Sequence, residues 1–193
     1  MKFVDMKNYQ IFHKIFGDAS KPEAIMSFIN AVLGFEGEDK ITFMRIIPPY
    51  KRLFTPPDKN IIIDVVAKNK NLLEYNIKIQ IADIASFDGR IAFLAPQDAE
   101  YIFINILDFN CTNSSEYTST YRFYDTETNE RSIKNIEHHF IELEKFDKTE
   151  TELTTLIDKW IYFIKNVENL KIIPENLQDK GLENAYLDAS KSD

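Results

Sequence analysis

The sequence predicts a mixed α/β fold, a sheet covered by helices, and three observations carry that prediction. Short β-branched runs alternate apolar and polar residues, as half-buried strands do. Apolar stripes at helical spacing start at capping residues or stop at glycine. The order is helices, strands, a helix, more strands and a closing helix, which suits one layered domain.

Taken in order, residues 8–16 read as a short helix with Phe12, Ile15 and Phe16 on one side. A second helix has Ser20 as N-cap, Pro22 in its first turn and a stripe through Ile25, Phe28, Ile29, Val32 and Leu33. Gly34 stops it. Ile41–Ile47 is a strand, and the proline pairs Pro48-Pro49 and Pro56-Pro57 mark a loop. Residues 61–80 form a hairpin whose turn is expected at Lys68–Asn71. A short helix over Ile84–Leu94, strands over Tyr101–Phe109, Tyr117–Tyr124 and Ile136–Leu143, and a polar turn at Asp125–Arg131 follow. Thr149 and Glu152 have the spacing of a capping box. The helix it should open carries Leu153, Leu156, Ile157, Trp160, Ile161 and Ile164, a stripe of core packing. The division expected is a domain over 1–166 and a polar C-terminal tail over 167–193, with a short helix and a frayed end.

At 193 residues the chain can bury a real core. Its 44% hydrophobic and 28% charged residues exclude a disordered chain. No apolar run is long enough to span a bilayer, and the polar start shows no signal peptide, so no membrane partner is expected. The lone Cys111 excludes an intrachain disulfide and a Cys-rich zinc site, and a cytoplasmic location is the expectation. A net charge of −8 argues against bulk attraction to nucleic acid. The charge is uneven, however, and a polyanion would be expected on the N-terminal part, near Lys51, Arg52 and Lys59.

Chemistry concentrates in the hairpin. Asp64 lies inside an Ile/Val-rich strand, where a carboxylate is costly unless paired, hydrogen-bonded or metal-bound. On the second strand Glu74, Asn76, Lys78 and Gln80 share one face. A partner for Asp64 is expected there.

Several segments resemble the PD-(D/E)XK nuclease family transposases, the recombination-promoting nuclease group. They are Phe12–Asp18, Ser27–Leu33, Ile63–Ala67, Asn76–Gln80, Ile104–Phe109, Phe140–Phe146 and Asp158–Lys165. They occur in family order and cover residues 3–166. The resemblance implies a restriction-endonuclease-like fold, a mixed β-sheet flanked by helices, that cuts DNA phosphodiesters with Mg2+. The family pattern has an Asp on one strand, Glu-x-Gln on the next, and often an acid near the first helix. Magnesium favours such hard oxygen ligands, polarises the phosphate and lowers the pKa of the attacking water.

This chain keeps Asp64, the metal ligand the resemblance implies, and Gln80, which would orient the water. Lys78 stands at the glutamate position and Asn8 at the acidic position ahead of the first helix. The segment between Arg90 and Tyr101 is shorter than the family's. Glu74, four residues from Lys78, lies about 13 Å along the strand and cannot replace the missing ligand, while Asp83 reads as a helix cap. The expected substitute is an Asp64–Lys78 ion pair in place of the metal.

Other residues read as structural. His138 and His139, adjacent on a strand, face opposite sides and cannot share one ion. His13 reads as helix surface, Cys111 as a strand-end side chain, and Glu142 with Lys145 as the family's strand-end segment. Three functions compete: a magnesium-dependent DNA endonuclease; a noncatalytic relative that keeps the fold to bind DNA, to pair with or regulate an active relative in a homo- or hetero-oligomer, or simply as a decaying copy; and a plain interaction domain. Lys78 and Asn8 favour the second, and the Asp64–Gln80 constellation argues against the third.

Overall fold

A computed structural model describes residues 2–47, 61–82, 100–131 and 133–190, with 133 and 134 as backbone alone. Two helices come first, α1 (Tyr9–Phe16) and α2 (Glu23–Leu33). Six strands follow: β1 (Ile41–Ile47), β2 (Ile61–Asn69), β3 (Glu74–Ala82), β4 (Glu100–Leu107), β5 (Thr118–Phe123) and β6 (Ile133–Glu142). Two helices close the fold, α3 (Leu156–Asn166) and α4 (Lys180–Ser190). The expected helix over Ile84–Leu94, its cap Asp83, the shortened segment after Arg90, the proline pairs, and Lys51, Arg52 and Lys59 lie outside the described residues.

The strands form one sheet in the order β1-β2-β3-β4-β6-β5. β1, β2 and β3 are an antiparallel meander, β3, β4 and β6 run parallel, and β5 returns antiparallel on β6. Strand alternation divides the residues between two faces. One face carries Ile63, Val65, Ala67, Ile77, Ile79, Ile102, Ile104 and Ile106, which join the apolar sides of the helices in a continuous buried cluster. Each large side chain sunk there contributes about 1.5–3 kcal/mol. The other face carries Asp64, Lys78, Gln80, Phe103, Asn105 and His138, which paired strands hold in two neighbouring rows.

The helix layer is tied together at Trp160. Its ring meets Phe16 and Phe28, each at 5.6 Å between centroids. Its indole N–H donates to Ser27 Oγ at 2.9 Å. Ser27 in turn donates to Asp179 Oδ1 at 2.6 Å, and Asp179 caps α4 through the Leu182 N–H at 2.8 Å. The helix in the C-terminal segment is therefore part of the core: Leu182, Ala185, Tyr186 and Ala189 are all buried. Buried Asn30 of α2 pins the sheet edge, giving and receiving a hydrogen bond at the Ile41 backbone.

Local boundaries shift for identifiable reasons. The β2–β3 turn falls at residues 70–73 instead of 68–71, with Leu72 in the left-handed conformation at φ 62°. Ser20 does not cap α2. Its N–H and hydroxyl both donate to Asp18, and α2 begins after Pro22 and ends at Gly34, φ 65°. The Thr149–Glu152 capping box forms, but it closes a 3-10 turn. α3 has its own box, Thr155 with Asp158, so Leu153 precedes the helix.

Candidate functional site

The site is built on the half-buried face of β2, β3 and β4. In-register antiparallel pairing sets Asp64 directly opposite Lys78, and parallel pairing sets Lys78 beside Phe103 and Gln80 beside Asn105. Directly opposite residues share a face at close range, so the hairpin alone dictates the meeting of Asp64 and Lys78. Lys78 Nζ lies 3.7 Å from Asp64 Oδ1, with the two side chains 34% and 35% exposed. The carboxylate is thus half-open to water rather than buried, so its desolvation cost is smaller than its apolar strand suggested. A pair this exposed contributes at most about 1 kcal/mol. Its importance is what it occupies.

Gln80 is held from the other side. Its Nε2 donates to Asn105 Oδ1 at 2.7 Å, and Asn105 Nδ2 donates to the His139 carbonyl at 3.3 Å. Next along the sheet, the His138 ring stacks on Phe103 at 4.5 Å and 5°. His139 points to the opposite side, 3.1 Å from Thr120 and 3.5 Å from Glu137. Burial lowers the pKa of both rings, so both favour the neutral form. Glu74 is engaged at the far end of the hairpin by Lys68, at 3.3 Å.

Asn8 does not share in this row. It is the N-cap of α1, its side-chain oxygen accepting from the Gln10 and Ile11 N–H groups at 2.9 and 3.4 Å. Asparagine and aspartate are comparable caps, so exchanging one for the other keeps the helix start and changes only the charge. The position just ahead of an apolar helical run was the signal for this role.

Two polar clusters stand apart and were not foreseen. Glu142, 1% exposed, accepts from the Cys111 and Thr112 N–H groups, the Thr112 hydroxyl and Lys145 Nζ. Burial pushes its carboxyl up, but the Lys145 and Thr112 bonds outweigh that and hold it down to about 2. Asp158, fully buried, accepts from Lys148 at 2.7 Å, Tyr117 at 2.5 Å and the Thr155 N–H at 3.1 Å. Burial again opposes ionisation, and these donors bring the carboxyl to about 2. Both acids are saturated with donors and clamp the loop after β4 and the start of α3. Among the described residues no group of three or more His, Cys, Asp or Glu side chains is placed to hold a metal ion. Nor is any helix among them long and apolar enough to cross a membrane.

No curated protein and no solved structure matches the chain significantly. A family model, the PD-(D/E)XK nuclease family transposase, matches residues 6–191. Among the described residues, the six-stranded mixed sheet flanked by four helices is consistent with the restriction-endonuclease-like fold that this family implies. On that match over nearly the whole sequence, the chain belongs to the PD-(D/E)XK nuclease family transposases.

Proposed function

We propose that this chain is a PD-(D/E)XK family member whose magnesium-dependent hydrolysis of DNA phosphodiesters is disabled at Lys78. The observation that carries this reading is the Lys78 ammonium 3.7 Å from Asp64 Oδ1. Magnesium takes oxygen ligands at about 2 Å and is usually held by one or two carboxylates with waters. Here Lys78 stands where the family has the second carboxylate, and its charge repels a divalent ion from the first. The residues as they stand do not fit the metal. Asn8, neutral and committed to its helix, supplies no replacement charge. The family implies DNA as the partner, so a noncatalytic role, binding DNA or pairing with an active relative, is the reading that follows.

Plasmid cleavage in magnesium and in manganese tests this, using the native chain, Lys78→Glu, and Asp64→Ala as the contamination control. The expected result is no cutting by the native chain and cutting gained by Lys78→Glu. Native cutting that vanishes in Asp64→Ala would overturn the proposal. Silence from both native and Lys78→Glu would move the defect beyond Lys78, to Asn8 or the shortened segment.

A further inference from the structure

We propose that Asn105 is a positioning residue for Gln80, fixing its amide so that the carbonyl oxygen Oε1 is what Gln80 presents to the rest of the site. This inference rests on reading Gln80 as a site residue. It starts from groups whose character no rotation can alter. Asn105 is 4% exposed, in an isoleucine-rich strand where an amide without partners would be costly. Two backbone carbonyls, His139 O at 3.3 Å and Phe103 O at 3.5 Å, face one end of its side chain. Carbonyl oxygens only accept, so that end must be Nδ2, and Oδ1 must face β3.

The same logic passes to the next amide. Oδ1 only accepts, so the Gln80 atom 2.7 Å away must be Nε2. Flipping Gln80 would bring two carbonyl oxygens to that distance. Because oxygen and nitrogen diverge from the same carbon, committing Nε2 to Asn105 turns Oε1 away from it. Gln80 therefore offers an acceptor, able to receive a hydrogen bond from water or from an ammonium, on the face that carries Asp64 and Lys78. An NH2 group presented there would repel the same cations.

The test is the side-chain amide spectrum of Gln80 in the 15N-labelled full chain. In the native protein one Nε2 proton is expected to be shifted downfield, to exchange slowly and to show a cross-peak to the Asn105 side chain. Asn105→Leu should abolish all three. A Gln80 signal unchanged in Asn105→Leu, with native-like backbone resonances, would overturn the assignment. If Asn105→Leu does not fold, the native spectrum decides: a cross-peak between the Gln80 Nε2 protons and the Asn105 side chain supports the proposal, and its absence defeats it. DNA cleavage by the native chain would defeat the proposed impairment and leave this amide assignment standing.

Discussion

Glu142 and Asp158 make the stability of this protein depend on acid. Their ordinary values are 4.5 and 3.8, and both are held down to about 2 in the fold. A carboxyl depressed by folding stabilises fully above its unfolded value, and that contribution is lost as pH falls through its folded value. The window is therefore about pH 4.5 to 2, and each acid contributes up to about 2–3 kcal/mol across it. Denaturant unfolding at pH 7, 4 and 2.5 should show this fall, and Glu142→Gln should lower stability at pH 7 while making the fall shallower. An acid limb as steep in Glu142→Gln as in the native chain would remove Glu142 from this role. Lys145 lies only three residues from Glu142, but the Cys111 and Thr112 donors that complete its cluster lie 31 and 30 residues away, on a loop whose position only the fold sets. The Asp64–Lys78 pair was legible because a local hairpin brings the two together. Asn105 was not, since its meeting with Gln80 depends on a parallel pairing that no turn specifies.

Helix starts show how a motif can be right and its consequence wrong. Thr149 and Glu152 satisfy the capping-box pattern and form it, the Thr149 N–H donating to Glu152 Oε2 at 2.8 Å, yet the turn they close is a 3-10 turn. The box that starts α3 is Thr155 with Asp158, in which the second residue also receives Lys148 and Tyr117. Thr155→Ala should cost about 1 kcal/mol. Thr149→Ala, on an exposed turn, should cost within about 0.5 kcal/mol. Equal losses in chemical unfolding would mean that both boxes support α3 alike. The strands were easier to read than the helix ends. Their two-residue alternation follows the two faces directly, and β1 agrees with the expected Ile41–Ile47 at both ends. The β2–β3 turn moved because strand pairing continues through Lys68 and Glu74, leaving two leucines at the tip, 75% and 55% exposed.

At the scale of the molecule, composition concealed how much the C-terminal segment contributes. Polar residues dominate 168–193, but α4 needs only a narrow apolar side to pack closely on α2, and Gly181 makes that approach possible. A Cβ on Gly181 would sit 2.4 Å from the Glu23 carbonyl oxygen and 2.6 Å from Ser27 Cβ, where backbone cannot yield without moving a helix. Replacing glycine by alanine inside a helix normally stabilises by about 1 kcal/mol. Overpacking a close contact costs about 1–3 kcal/mol, so Gly181→Ala should be destabilising on balance. Removing residues 167–193 should do far more. It strips Tyr186 from Phe163, at 4.6 Å between ring centroids, and from Phe3, at 6.4 Å. It also leaves Ser27, the acceptor for Trp160, without Asp179. Exposing that much apolar surface, at about 25 cal/mol per Å2, exceeds the stability of an ordinary domain once several large side chains are involved. The 1–166 fragment is therefore expected to lose its cooperative thermal transition and its near-ultraviolet circular dichroism from Trp160. A fragment that melts cooperatively at the temperature of the full chain would instead make α4 an accessory to a core complete without it.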